Sequence, residues 1–203
     1  MPDPSAPILT AGVLADTHVP DRARELHPAI LPLFTAAGVR HIFHAGDVCS
    51  PRVLAELGTL APVTAVRGNR DFALMRLPMT GSMELAGVRI GLTHGHGGLL
   101  RYLWDKVQYY RRGYSLNRYL DLLIRAVPGA RVMIFGHTHF HETLWYRNIL
   151  LFNPGSAVYG QDRHSPPTVG LLKIFAGQRI EAEILPLEGF ELKKRRWMPV
   201  RAE

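Results

Sequence analysis

The sequence predicts an α/β fold in which parallel strands alternate with helices. Short apolar runs alternate with amphipathic helical patterns through the first two-thirds of the 203-residue chain. This alternation is typical of βαβ units, which build parallel sheets. Polar side chains follow directly after five of the apolar runs. Ligands bind at the carboxyl ends of strands in such sheets, so these side chains predict a functional site there.

The N-terminal third carries three predicted strands and two predicted helices. The strands are the apolar runs ILTAGVLA (8–15), RHIFHA (40–45) and PVTAV (62–66). The helices are expected in ELHPAILPLFTAAG (25–38) and SPRVLAELGTL (50–60). Ser50 is a good N-cap residue for the second helix, and Pro51 suits its first turn.

The rest of the chain is mostly predicted strand, with one long helical stretch over 99–127. The strands are expected in VRIGLTH (88–94), ARVMIFG (130–136), ILLFN (149–153), TVGLLKIF (168–175) and RIEAEILPL (179–187). The last two flank the turn Ala176-Gly177-Gln178, which indicates an antiparallel hairpin. No repeat or linker divides the sequence, so we expect a single domain over 1–203.

Composition favours a soluble cytoplasmic protein. The only cysteine, Cys49, rules out an intrachain disulfide framework. The N-terminus lacks the basic segment of a signal peptide, and no apolar run is long enough for a transmembrane helix. The formal charge of +7 is concentrated in 99–127 and 188–203. These basic segments predict an anionic partner without identifying its class.

The polar residues that follow the strands are the oxygen and nitrogen donors that manganese, iron and zinc prefer. They exceed what one tetrahedral ion needs and suit two adjacent ions that share a carboxylate. In chain order they are Asp16, His18, Asp47, Asn69, His94, His96, His137 and His139.

The ordered motifs DTH (16–18), GD (46–47), GN (68–69), HGH (94–96) and GHTH (136–139) resemble those of the calcineurin-like metallophosphoesterases. Their spacing, through NPGS (153–156), is most similar to the small bacterial and archaeal phosphodiesterases related to the retromer scaffold subunit. The resemblance implies a four-layer α/β/β/α sandwich with a dinuclear metal site at the carboxyl ends of the strands.

The resemblance also implies a ligand set for each ion. The first ion would take Asp16, His18, Asp47 and His139, and the second would take Asp47, Asn69, His94 and His137. Asp47 would therefore bridge the ions, and a hydroxide between them would attack phosphorus in line. Manganese is the ion we expect first, with iron, zinc, nickel or cobalt as alternatives. His96 would orient a ligand or a bound phosphate.

Arg70 departs from the pattern of many members of this family, which carry histidine after Gly-Asn. Its guanidinium could clamp a phosphate oxygen or pair with Asp71, and the sequence leaves both open. It cannot donate a proton at neutral pH, so phosphoesters with good leaving groups should be preferred.

The expected substrate is a phosphodiester or phosphomonoester small molecule. Two alternatives remain at this point: a non-catalytic scaffold on the same fold, and a nuclease that uses the basic segments to bind nucleic acid.

The helical insertion 99–127 carries an apolar stripe that we expect to pack on the sheet. A lid over the substrate cleft is the alternative, with its tip formed by Tyr109, Tyr110, Arg111, Arg112 and Tyr114. The stripe begins with Leu99, Leu100, Leu103, Trp104 and Val107 and resumes over 116–127. The basic run KKRR (193–196) is expected to be a solvated tail, and Cys49 a bystander beside the site.

Overall fold

The computed structural model describes residues 6–162 and 164–200, apart from the side chains of Leu99 and Tyr102. It contains two five-stranded sheets, a two-stranded hairpin and four α-helices within those residues. In chain order the elements are β1 (Leu9–Leu14), α1 (Ile30–Ala36), β2 (His41–His44), α2 (Pro51–Gly58), β3 (Val63–Ala65), β4 (Thr80–Leu85), β5 (Val88–Thr93), α3 (Leu99–Arg112), α4 (Leu120–Ala126), β6 (Val132–Ile134), β7 (His141–Tyr146), β8 (Ile149–Pro154), β9 (Thr168–Ile174), β10 (Ile180–Pro186), β11 (Phe190–Lys193) and β12 (Arg196–Pro199).

Each large sheet combines three parallel strands with two strands that pair in antiparallel fashion. In the order β10-β9-β1-β2-β3, strands β1, β2 and β3 are parallel, whereas β9 and β10 form the predicted antiparallel hairpin. In the order β4-β5-β6-β8-β7, strands β5, β6 and β8 are parallel and β4 and β7 are antiparallel edges. The parallel strands end on the rim where the polar motifs follow.

Three apolar cores define four layers, so the predicted α/β/β/α sandwich is confirmed. The central core joins the facing surfaces of the two sheets through residues such as Phe43, Ile90 and Phe152. A second core packs α1 and α2 on the outer face of the first sheet, and a third packs α4 on the outer face of the second sheet.

Both N-terminal helices form where they were predicted, with different accuracy at their ends. The side chain of Ser50 accepts a hydrogen bond from the backbone of Arg52, and Pro51 opens α2 as expected. Helix α1 begins only at Ile30, later than the predicted 25–38. Pro28 disfavours helical backbone at the preceding residue, which explains the late start.

Two edge strands were missed by the pattern analysis. In β4, the residues Gly81 and Ser82 lower the strand propensity, although alternate residues are half-buried. Strand β7 is joined to β8 by Arg147 and Asn148, whose φ values of 49° and 61° form a tight two-residue hairpin turn.

The basic run 193–196 is exposed to solvent, as predicted, but it is not a tail. It forms the turn of the β11–β12 hairpin, with left-handed backbone at Lys194 and Arg195. Trp197, directly after this run, is buried against Ala23 and Val158. Its indole N–H donates a hydrogen bond to the carbonyl oxygen of Glu25 at 3.1 Å, so burial of this one ring anchors the hairpin.

The stripe in 99–127 behaves differently in its two halves. Leu123 of α4 is fully buried against the second sheet, as predicted. The described stripe residues of α3 are exposed, however, so the packing predicted for them was wrong; the side chain of Leu99 lies outside the described residues. No helix among the described residues is long and apolar enough to cross a membrane.

Candidate metal centre

The structure brings the seven predicted metal-binding side chains together on one rim. They lie in the loops that follow β1, β2, β3, β5 and β6. Five of them adopt left-handed backbone, which is costly for residues other than glycine and is concentrated at functional sites. Those five are Asp16, His18, Asp47, His137 and His139, with φ between 48° and 72°.

One group of donors surrounds the carboxylate of Asp16. Nε2 of His139 lies 3.3 Å from Oδ1 of Asp16, and Nε2 of His18 lies 3.8 Å from the same oxygen. The two histidine nitrogens are 3.3 Å apart. The other oxygen of Asp16 accepts a hydrogen bond from the backbone N–H of His137 at 3.0 Å, which orients the carboxylate.

A second group surrounds the side-chain oxygen of Asn69. This Oδ1 lies 3.1 Å from Nε2 of His94 and 3.0 Å from Nδ1 of His137. Nδ1 of His94 is 2.7 Å from the carbonyl oxygen of Ala45. A carbonyl accepts only from a protonated nitrogen, so this bond leaves the lone pair on Nε2, which faces the group.

Asp47 lies between the two groups. Its Oδ2 is 3.8 Å from Nε2 of His18, and its Oδ1 is 3.5 Å from Nε2 of His94. The backbone N–H of Arg70 donates a hydrogen bond to Oδ1 at 2.8 Å. One carboxylate therefore presents an oxygen to each group.

The donor set fits divalent cations. Asp16, His18 and His139 place one ligand atom each within 4.8 Å of one another, and so do Asp16, Asp47 and His94. Oδ1 of Asp16 is buried without a well-formed hydrogen bond among the described residues. A buried carboxylate oxygen in that condition is costly unless a cation approaches it.

The Asp16 carboxylate outweighs burial at His139 and raises the pKa of that side chain. Burial keeps His18 and His137 in the neutral form that can bind a metal. It lowers the pKa of His18 to about 4 and that of His137 to about 3. Burial raises the pKa of Asp47 to about 6. Burial would also raise the pKa of Asp16, but His139, His94 and His18 outweigh it and hold that pKa well below its usual range.

Two glycines leave room for these carboxylates. A Cβ atom at Gly68 would lie 2.1 Å from Oδ1 of Asp47, and one at Gly136 would lie 2.9 Å from Oδ2 of Asp16. Both distances are too short for a real side chain, so neither position accepts another residue without displacing the carboxylate.

Arg70 pairs with Asp21 and not with Asp71, so the ion pair left open by the sequence was wrong. Its Nε donates to Oδ2 of Asp21 at 2.8 Å, with both side chains about 40% exposed. Asp71 is buried and accepts hydrogen bonds from the backbone of Cys49 and Gly68. It therefore braces two of the loops that carry metal-site residues, a role that its sequence position did not indicate.

His96 is buried beside the second group, with its ring centre 5.4 Å from that of His94. It lines a cavity of about 440 Å³ whose other walls include Arg67, Phe72 and Met75. His96 is thus close to the centre without belonging to either donor group.

Cys49 and His44 lie beside the donors. Burial raises the pKa of the Cys49 thiol to about 12, which makes it a poor nucleophile, and its Sγ is 3.9 Å from Nδ1 of His18. Nε2 of the buried His44 lies 3.1 Å from the hydroxyl of Thr17, the residue between Asp16 and His18 in the sequence. His44 therefore supports the loop that follows β1.

A second cavity of about 440 Å³ opens directly on the centre. Its wall contains Tyr109, Tyr110 and Tyr114 from the insertion, whereas Arg111 and Arg112 lie exposed at the end of α3. Tyr114 stacks on Phe140 with ring centres 4.4 Å apart. Sequence reasoning missed several other members of this wall, which no strand-end motif marks; they include Arg22, Lys106, Tyr119 and Tyr159.

Comparison with known proteins places the chain among phosphoesterases. The family model of the calcineurin-like phosphoesterase superfamily domain matches residues 9–177. A curated probable metallophosphoesterase of Methanothermobacter thermautotrophicus is 39% identical over 176 residues, covering 86% of this chain and 90% of that protein.

Solved structures share the fold at lower identity. Vacuolar protein sorting 29 from Cryptosporidium parvum superposes with a TM-score of 0.63 at 19% identity, covering 95% of both chains. An archaeal phosphodiesterase superposes with a TM-score of 0.59 at 22% identity, covering 87% of this chain and all of the other.

Proposed function

The chain belongs to the calcineurin-like phosphoesterase superfamily, and on that premise we propose that it is a phosphodiesterase with a dinuclear metal centre. The observation that carries the proposal is the position of Asp47, which presents one carboxylate oxygen to each of two donor groups. A carboxylate in this position is suited to bridge two adjacent cations.

The two groups would hold one ion each. Asp16, His18 and His139 would bind the first ion together with Asp47, and Asn69, His94 and His137 would bind the second together with Asp47. Manganese is our first choice, with iron, zinc, nickel or cobalt as alternatives. Nitrogen and oxygen donors bind all of these ions, so the availability of each metal in the cell decides which one is bound.

Bound divalent ions supply the Lewis acidity that activates water and offsets the charge of a phosphate. The residues of the chain hold the reactants in place. Neutral His18 and His137 offer lone pairs at the centre, and the hydrogen bond from the Arg70 backbone fixes the Asp47 carboxylate. We propose that the Arg70 guanidinium turns from Asp21 to a phosphate oxygen of the substrate, and that His96 contacts the phosphate from the other side.

The cavity beside the centre supports a substrate with an aromatic or base-like group next to its phosphate. Tyr109, Tyr110 and Tyr159 offer rings for stacking, and Arg22 and Lys106 offer positive charge. We propose that the insertion 99–127 acts as a wall of this cleft through the residues that line it. The intact donor set favours an enzyme over the scaffold alternative.

The test is hydrolysis of bis-p-nitrophenyl phosphate by metal-stripped protein reconstituted with Mn²⁺, Fe²⁺, Co²⁺, Ni²⁺ or Zn²⁺. We expect turnover with at least one ion and a collapse to background in Asp47→Asn. Asp162→Asn, the same change at an exposed aspartate, should retain full activity. Absence of turnover with every ion, despite bound metal, would overturn the proposal.

A further inference from the structure

Helix α3 turns its apolar stripe away from the protein. Leu100 is 84% exposed, and Leu103, Trp104 and Val107 are each about half exposed. These positions follow the i, i+3, i+4, i+7 spacing that places side chains on one face of a helix. An amphipathic helix normally buries such a face against its own core, but here the face has no packing partner in the part of the chain that the structure describes.

The polar side of α3 holds the helix in this orientation. Asp105 accepts a hydrogen bond from the hydroxyl of Tyr119, and its Oδ1 lies 3.4 Å from Nε of Arg118. The guanidinium of Arg101 donates a hydrogen bond to the carbonyl oxygen of Arg118 at 2.7 Å. These contacts join α3 to the segment that leads into α4, so the outward direction of the stripe is fixed by specific bonds.

The exposed charged side chains of α3 are positive. Asp105 is its only acidic residue and is half-buried in the contacts just described. Arg101 and Lys106 lie on opposite flanks of the stripe at helical spacing, and Arg111 and Arg112 follow at its C-terminal end; all four are exposed. The stripe is therefore an apolar face surrounded by cations.

We propose that α3 is an in-plane anchor that docks the protein on an anionic lipid bilayer. An apolar face with a tryptophan, flanked by lysine and arginine, is the chemistry that inserts at the boundary between headgroups and acyl chains. The cations would lie level with anionic headgroups, each of which adds to the attraction. With 14 residues the helix is about 21 Å long, which suits lying in the interface.

Charge favours a bilayer over a second copy of this chain. Two copies that met through α3 would bring their cations together, and a net charge of +7 on each chain would add to the repulsion. Anionic lipid removes that repulsion. The inference goes beyond the proposed activity: none of the four stripe residues lines the cavity at the metal centre, and of the four cations Lys106 alone does.

The experiment is co-sedimentation of the full-length, metal-loaded protein with vesicles of phosphatidylcholine alone or with about 30% phosphatidylglycerol. Two matched variants separate α3 from a general effect of exposed apolar surface. Trp104→Glu alters the stripe, and Trp145→Glu makes the same change on β7, where the ring is exposed to a similar extent.

We expect the wild type to bind the anionic vesicles, and about 0.5 M salt to weaken that binding. Trp104→Glu should lower the partition coefficient about tenfold or more, whereas Trp145→Glu should stay close to the wild type. Both variants should hydrolyse soluble bis-p-nitrophenyl phosphate as the wild type does, so a failure of docking is distinguishable from a failure of the proposed activity.

Three results would overturn the proposal. One is a wild type that sediments no more with anionic vesicles than with neutral ones. Another is an equal loss of binding in both variants. The third is a wild type that does not bind vesicles but forms dimers, or binds an oligonucleotide, and loses that interaction in Trp104→Glu. The stripe would then be the binding surface for that partner.

Discussion

Gly68 packs directly against Asp47. A Cβ atom at Gly68 would lie 2.1 Å from Oδ1 of Asp47 and 2.3 Å from its backbone nitrogen. The carboxylate between the two donor groups therefore keeps its position only because the neighbouring loop carries no side chain here. This contact links a turn in the sequence, GN (68–69), to the geometry of the proposed metal centre.

We predict that Gly68→Ala weakens metal binding and lowers phosphodiesterase activity by about tenfold or more, because the methyl group must displace Asp47. Isothermal titration with Mn²⁺ and steady-state kinetics measure the two effects. Gly58→Ala is the control, since a Cβ at Gly58 has no described atom within 4 Å. Equal metal affinity in both variants would contradict the prediction.

Arg70 should contribute to substrate binding through its guanidinium. If it clamps phosphate, Arg70→Ala raises KM for a phosphodiester about tenfold or more, as expected for loss of charged hydrogen bonds. Arg70→Lys should recover only part of this, because an ammonium group lacks the planar fork. Asp21→Asn releases the guanidinium from its present partner and should leave KM unchanged or lower it. A rise in KM in Asp21→Asn equal to that in Arg70→Ala would assign Arg70 to the ion pair alone.

The leaving group should strongly affect the rate. Arginine follows Gly-Asn in this chain and stays charged at neutral pH, so it cannot protonate a departing oxygen. We predict that kcat/KM falls steeply across aryl phosphodiesters as the pKa of the leaving phenol rises. His96→Ala should lower kcat/KM by a similar factor for every ester in the series. A steeper dependence in that variant would show that His96 donates the proton.

The burial of His27 should make the stability of the folded state sensitive to acid. It is buried against the ring of Trp197, and burial lowers its pKa from 6.5 to about 4. Because the unfolded chain gains this proton first, the stabilising effect is present above pH 6.5 and is lost as the pH falls toward 4. The Tm of His27→Phe should therefore decline less between pH 7 and pH 4.5 than that of the wild type. His164→Phe, at an exposed position, should decline as the wild type does; a wild-type decline in His27→Phe would refute the assignment.

Local chemistry explains which parts of the fold were predictable. The strand that precedes Asp16 and the cap formed by Ser50 are encoded by neighbouring residues, so the sequence pattern was sufficient for both. The strand-end motifs also predicted which side chains converge, because parallel strands end on one rim. Their coordination of metal stays a prediction.

The failures arose where a distant partner decides the structure. Arg70 pairs with Asp21, which lies 49 residues away, and no local pattern distinguishes that partner from the adjacent Asp71. The ring of Trp197 is buried against Ala23 and Val158, which holds the hairpin that contains the basic run against the rest of the protein. The stripe of α3 has the periodicity of a buried helix, yet the contacts of Asp105 turn it outward. Periodicity shows that a face is apolar, but it does not show what covers that face.

The measurement that tests the central claim most directly is the number of manganese ions bound per chain, determined by elemental analysis and by electron paramagnetic resonance. The account predicts two ions per wild-type chain with a spin-coupled spectrum, and loss of both the second ion and the coupling in Asp47→Asn. A wild type that binds one ion at saturation, or an Asp47→Asn variant that still holds a coupled pair, would contradict it.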